Sequence, residues 1–233
     1  YSTIRGKCTV VWIECDTFRL ISSPLGEVFL NDRIMKKVDI RRKFLKERQD
    51  IGPNVVKEKS DLVHDLLIKY ISNINQMKPS VEKINKFFLY SPIQNELDVL
   101  TGFRHNFKHL EGMLIGLPRC GLNNSMDFRK IAYEDELEKD NYGILTPKRE
   151  CEVLSPDQKT LIVVPCVSIS KEGYRIGYGA GYYDKFLLKH DENLKESQIV
   201  ALCYSAFVTD NSYNDSWDKK INVIITEEDI LDT

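Results

Sequence analysis

The sequence predicts a single α/β domain, built as a layered, largely parallel β-sheet covered by helices on both faces. Three observations predict it. Five short runs, KFFLYS (86–91), GMLIGLP (112–118), TLIVVPCVSI (160–169), QIVALCYS (198–205) and NVIITE (222–227), are rich in β-branched and aromatic residues and apolar on both faces. Buried parallel strands have that pattern. Helical or polar stretches separate the runs, as crossover connections require. The chain has 233 residues and 42% apolar content, enough for one compact core.

In chain order, residues 1–30 form an N-terminal extension of unknown role, and the α/β domain is expected over 31–233. NDRIMKKVDIRRKFLKERQD (31–50) sets Ile34, Val38, Phe44 and Leu45 among basic residues, with Asn31 or Asp32 as N-cap, and predicts an amphipathic helix with a basic polar face. After the Gly52-Pro53 break, Val56, Leu62, Leu66, Leu67 and Ile71 predict a second helix, with His64 as a surface or cap residue. Helices are further expected near 96–110 and 182–195. MDFRKIAYE (126–134) reads as an edge strand. The polar stretch 134–160 reads as a long excursion over the surface, and ordered loops of that length are often functional.

A formal charge of -2 from 33 basic and 35 acidic side chains provides no global field toward nucleic acid or an anionic membrane, so neither is an expected partner. Six scattered cysteines lack the close pairs of a zinc site or dithiol motif and read as reduced thiols. No apolar run approaches the roughly 20 residues of a membrane span. A cytoplasmic monomer is expected. A mitochondrial location is the alternative, because the chain opens on Tyr1 and an upstream targeting segment would not be seen.

The most informative stretch is TLIVVPCVSISKEGYRIGYGAGYYDKFLLK. A buried strand leads into Gly173, Gly177, Gly179 and Gly181, followed by Tyr182, Tyr183, Asp184 and a helix start. Closely spaced glycines let successive amides point into one concavity and meet phosphate oxygens, and the following helix adds the positive end of its dipole. The spacing matches neither a Walker A loop nor a dinucleotide fingerprint. A tight strand-to-helix turn with no ligand would use the same glycines. Arg175 as a fixed cation and Asp184 as a hard oxygen favour a triphosphate with magnesium.

VPCVSISKEGYRIGYGAGYYDKFL resembles the signature of the 5-formyltetrahydrofolate cyclo-ligase family, in which glycines, arginine, paired tyrosines and aspartate occur in the same register. KKVDIRRKFLKER resembles the family's basic first helix, SPIQNELD its substrate strand end, and INVIITEED its last strand, so the resemblance spans about 34–231. It implies an enzyme that uses ATP with magnesium to convert 5-formyltetrahydrofolate to 5,10-methenyltetrahydrofolate. By the same resemblance, Lys37, Arg41, Arg175, Gly177, Tyr178, Gly179, Ala180, Gly181, Tyr182 and Tyr183 are implied to bind ATP. Ser91, Glu96 and Tyr142 are implied to bind the folate, and Asp184 and Asn222 the magnesium.

Physical chemistry agrees in part. Side chains at i and i+4, such as Lys37 and Arg41, share a helix face, and a carboxylate such as Glu96 accepts paired hydrogen bonds from an amino-pyrimidine. Glu96 also suits the first turn of a helix with no ligand at all. The chain departs from the family at Asn222, where an aspartate is usual, with Asp218 and Glu227 nearby in sequence as substitutes. That departure keeps two alternatives open, a catalytically impaired relative acting as a binding module and a different phosphate-ligand α/β enzyme. His105 and His109 share a helix face without a third ligand and are expected in solvent.

Overall fold

The computed structural model describes residues 19–22, 28–31, 36–105, 112–132, 137–194 and 198–233. Asp32, Ile34, His109 and the remaining parts of the N-terminal extension, of the helix expected to 110, of the strand expected to 134 and of the helix expected to 195 lie outside the described residues. The chain divides into two compact units, 1–36 and 37–233. In the first, β1 (Arg19–Ser22) and β2 (Val28–Asn31) pair antiparallel, so Asn31 ends a strand and does not cap a helix.

The second unit opens with α1 (Lys37–Gln49) and α2 (Pro53–Met77). Asp39 in the first turn of α1 and Lys46 and Arg48 in the last complement its dipole. Pro53 starts α2 at a position where its missing N–H costs nothing, and Lys78, extended ahead of Pro79, ends it. The buried face of α2 is Ser60, Val63, Leu67 and Ile71. Leu62, expected on that stripe, is 46% exposed, and Val38 of α1 is 55% exposed. The helical period turns both away once the larger set of side chains faces the sheet.

Next come β3 (Lys86–Phe88), α3 (Leu100–His105), β4 (Leu114–Cys120) and β5 (Met126–Ile131). The stretch expected as loop carries three two-residue strands, β6 (Glu138–Lys139), β7 (Leu145–Thr146) and β8 (Val153–Leu154). After β9 (Thr160–Pro165) follow β10 (Ser168–Ser170), β11 (Arg175–Ile176), α4 (Tyr182–Lys189), β12 (Gln198–Leu202), β13 (Val208–Thr209), β14 (Val223–Ile225) and β15 (Ile230–Asp232).

The main sheet runs β15-β14-β12-β9-β3-β4-β5-β8. Its five central strands, β14 to β4, are mutually parallel, and the three at its margins pair antiparallel. This is the layered, largely parallel sheet that the apolar runs predict. Because β8 pairs on its far side, β5 is not the edge. The run 160–169 is two strands and not one. Pro165 closes β9, and β10 joins a separate small sheet, β11-β10-β13.

Helices lie on both faces, as the alternation in β3 shows. Phe87 meets Phe103 of α3 at 5.5 Å, while its neighbour Phe88 stacks on Phe128 of β5 at 4.3 Å and meets Phe186 of α4 at 6.3 Å. His64 of α2 packs edge-on against Phe103, placing α2 with α3, so this histidine is half-buried and no cap. His105 is exposed as expected. Leu67, Phe88, Leu161, Val163 and Ile224 are fully buried, each worth about 1.5–3 kcal/mol. No helix of the described residues is long and apolar enough to cross a membrane.

The connection leaving β3 moves toward β4, and the one leaving β9 moves toward β12. The chain therefore reverses direction between these neighbours, and in open α/β sheets the crevice beyond the carboxyl ends of such a pair is where ligands bind.

Candidate functional site

Lys37, Arg41, Phe44 and Arg48 recur at i, i+4, i+7 and i+11, which puts them on one face of α1. Phe44 is buried and anchors that face on Phe207 at 5.1 Å. The polar residues either side of it reach the glycine segment. Arg41 donates from Nε to Gly177 O at 2.7 Å, and its guanidinium lies so near Gly179 that a Cβ there would stand 3.3 Å from Cζ. Gly179 has φ +100°, a conformation that favours glycine. Arg48, only 2% exposed, donates from Nη1 to Cys166 O at 3.3 Å and from Nη2 to the hydroxyl of Tyr178.

Gly181, with φ +71°, is the N-cap of α4 and offers no side chain to the first-turn amides. Tyr182, Tyr183 and Asp184 occupy that turn. Arg175 Nη2 donates to Asp184 Oδ1 at 2.7 Å, so the cation and the carboxylate expected to meet phosphate and metal meet each other. Arg175 Nε and the Tyr183 hydroxyl are buried without hydrogen-bond partners. Burial, and after it the neighbouring Glu96 charge, hold the Tyr183 hydroxyl far above the usual tyrosine range against the pull of Arg175. Ala180 is exposed, and its carbonyl accepts from Asn124 Nδ2 at 3.0 Å. The hydrogen bond between the Tyr142 and Tyr182 hydroxyls pushes Tyr182 up to about 12, and Tyr142 is otherwise 73% exposed.

The carboxyl end of the sheet supplies the acid. Gln94 and Asn95 have φ of +46° and +59°, and Asn95 Nδ2 donates to Ile51 O at 3.0 Å and Arg48 O at 3.2 Å, tying the loop to the end of α1. The hydroxyl of Tyr204 donates to Asn95 O at 2.8 Å. Glu96, held in this loop and not in a helix, is 5% exposed. Its Oε2 accepts from Ile93 N at 3.0 Å. Its Oε1 has no hydrogen bond and stands 3.8 Å from Arg48 Nη1, beyond hydrogen-bond reach. Burial raises Glu96 to about 7, against the pull of Arg48, the Ile93 amide and the Tyr178 hydroxyl. A small cavity opens here, bounded by Arg48, Tyr90, Glu96, Cys166, Cys203 and Tyr204. Ser91, one residue past Tyr90, is buried and donates to Leu145 O at 2.5 Å.

The fold thus gathers Arg41 and residues 177–181 along α1, with Glu96 at the far end of the same face. Lys37 is engaged by Asp215, at 3.1 Å, and Asp218. Asp218 and Glu227, expected as substitute metal ligands, are taken by Lys37 and Lys59, and Glu227 also accepts from Ser205 N at 3.0 Å. Asn222 is exposed where β14 enters the sheet, its carbonyl accepting from Thr233 N at 3.1 Å. No group of three or more His, Cys, Asp or Glu among the described residues could hold a metal ion. What fits magnesium is one carboxylate, Asp184, whose side chain stays 25% exposed beside its bond to Arg175. A single protein carboxylate suits a magnesium ion otherwise held by phosphates and water. Sequence reasoning missed Arg48, although its spacing of seven from Arg41 put it on the same helix face.

A family model described as the 5-formyltetrahydrofolate cyclo-ligase family matches residues 33–227. The 5-formyltetrahydrofolate cyclo-ligase of Mycoplasma pneumoniae is 25% identical over 194 residues, 83% of this chain and 100% of the relative. The solution structure of 5,10-methenyltetrahydrofolate synthetase from Aquifex aeolicus superimposes with a TM-score of 0.66 at 29% identity, covering 85% of this chain and 93% of that one. A 5,10-methenyltetrahydrofolate synthetase structure from Mycoplasma pneumoniae shares the fold with a TM-score of 0.63 at 22% identity, over 83% and 99% of the two chains.

Proposed function

The chain belongs to the 5-formyltetrahydrofolate cyclo-ligase family, and from that premise we propose that it converts 5-formyltetrahydrofolate to 5,10-methenyltetrahydrofolate with ATP and magnesium, releasing ADP and phosphate. One observation carries the reading. A single face of α1 meets a glycine segment clamped by Arg41 and, one turn beyond Phe44, a buried carboxylate with an unpartnered oxygen. The first suits a triphosphate, the second an amino-pyrimidine whose N–H groups lack acceptors.

In this reaction the formyl oxygen takes the γ-phosphoryl group, and the bond from phosphorus to the ADP oxygen breaks. N10 then attacks the formyl carbon and loses its proton, and the carbon–oxygen bond breaks to release phosphate. No enzyme nucleophile is required, so the protein's task is alignment and charge stabilisation. Arg41 and the amides from Gly177 to Gly181 would orient the phosphates, with Tyr178 and Arg175 beside them. Asp184 would hold the magnesium that the triphosphate carries, an ion that supplies charge neutralisation. Glu96 would accept from the pterin, with Ser91 and Tyr142 at the mouth. Lys37 would reach phosphate only by leaving Asp215 and Asp218.

The test is incubation of the protein with 5-formyltetrahydrofolate, ATP and magnesium, following the methenyl chromophore and ADP together. Both are expected in equal amounts. A folded protein that yields neither would refute the assignment.

A further inference from the structure

One side chain, Arg48, touches both the glycine segment and the buried carboxylate, where the Tyr178 hydroxyl also acts on Glu96 directly. Arg48 touches Tyr178 of the segment through Nη2, the carbonyl of Cys166 at the end of β9 through Nη1 at 3.3 Å, and approaches Glu96 Oε1 to 3.8 Å. We propose that Arg48 is a positioning residue that couples the two substrate subsites, so that filling either one strengthens binding at the other. The inference rests on the functional reading above and goes beyond it.

The free protein leaves this junction under-satisfied. Arg48 is 2% exposed and Glu96 5%, yet Arg48 Nε and Glu96 Oε1 both lack hydrogen-bond partners. A buried, half-satisfied pair is costly, and any ligand that completes it recovers that cost. Donors from a folate ring on Glu96 would satisfy the carboxylate and leave the guanidinium fork to Tyr178 and Cys166. The fork is planar and rigid, so settling one edge orients the other.

From the other direction, Tyr178 sits between Gly177, whose carbonyl Arg41 holds at 2.7 Å, and Gly179 at φ +100°. Phosphates drawn onto this segment fix Tyr178, and its hydroxyl fixes Arg48 against Glu96. No second element is needed to carry the signal, because Tyr178, Arg48 and Glu96 are contiguous. By linkage, each ligand must then change the other's affinity by the same factor.

The experiment is calorimetric titration of 5-formyltetrahydrofolate and of a non-hydrolysable ATP analogue with magnesium, each alone and in the presence of the other. The wild-type protein is expected to bind each ligand at least about 5-fold tighter when the other is present. Tyr178→Phe keeps the ring at a partly exposed position and removes the hydroxyl, and should bring that factor close to one whatever it does to the affinity for the nucleotide alone. Arg48→Lys, which keeps the charge and loses the fork, should do the same. If Tyr178→Phe loses the nucleotide outright, the factor is read from Arg48→Lys. Wild-type binding of both ligands with a factor of one, or an undiminished factor in both variants, would overturn the coupling alone. Failure of folded wild-type protein to bind either ligand would overturn the functional reading and the coupling with it.

Discussion

Arg175 and Asp184, nine residues apart, close the glycine segment on itself through a 2.7 Å bond from Nη2 to Oδ1, with side-chain exposures of 7% and 25%. The arginine is thus neutralised in the free protein by the carboxylate proposed to hold magnesium. Asp184→Ala would strand the cation. Since the pair is partly open to solvent, a loss of about 2–3 kcal/mol is expected, below the upper end for a fully buried pair. At this chain length each kcal/mol lowers Tm by about 2–4 °C. Asp184→Asn should keep more of the stability and raise the magnesium concentration needed for half-maximal rate. An unchanged magnesium requirement would remove Asp184 from the metal.

Gly179→Ala tests the phosphate cradle. A methyl group at φ +100° is strained, and it would press on the Arg41 guanidinium at 3.3 Å. Left-handed strain in a non-glycine residue costs about 1–3 kcal/mol, and if ATP binding requires that conformation the KM for ATP should rise by roughly 5- to 150-fold. Steady-state kinetics against ATP measures it. A Gly179→Ala enzyme with wild-type KM would place the phosphates elsewhere.

The pH behaviour of Glu96 has a definite sign. Its folded pKa is raised to about 7 from an ordinary value of 4.5 by burial, opposed by Arg48, the Ile93 amide and Tyr178. The stability it contributes is therefore complete below about pH 4.5 and is lost as pH rises through about 7. Glu227 and Asp157, both lowered by their lysine partners, act in the opposite sense and only at lower pH. Compared with Glu96→Gln, the wild-type protein should lose Tm between pH 5 and pH 8. In the same window kcat/KM for the folate should rise, because only the ionised carboxylate accepts two hydrogen bonds, and Glu96→Gln should flatten that rise. Parallel melting and rate profiles of the two proteins decide it.

Arg48→Met leaves Glu96 buried without its cation and should cost about 3–5 kcal/mol. Adding Glu96→Gln removes the stranded charge, and the double variant should recover much of the loss. Denaturant unfolding of the four proteins in the cycle measures the interaction. Additive losses would mean that the 3.8 Å approach carries no energy.

Much of this architecture is written in local pattern. The doubly apolar runs at 86–91, 160–169 and 198–205 announce strands covered on both faces, and each contains a central strand of the sheet. The break at Pro165 was present in the run TLIVVPCVSI, but nothing in its hydropathy separated β9 from β10, since both are buried. Likewise β5 resembles an edge strand until the two residues of β8 pair with Phe128 and Arg129 from 26 and 24 positions further on.

Side-chain partners are less legible than elements. By itself the sequence determined the parallel sheet, the glycine segment before α4, the cationic face of α1 and the family, because these depend on residue type at short spacing. The tertiary structure alone decided that Arg175 takes Asp184, that Lys37 takes Asp215 and Asp218, and that Arg48 stands buried between Tyr178 and Glu96. The physical reason is that a charge drawn out of water settles on whichever opposite group the packing brings near, and packing joins residues up to 181 positions apart as readily as the nine that separate Arg175 from Asp184.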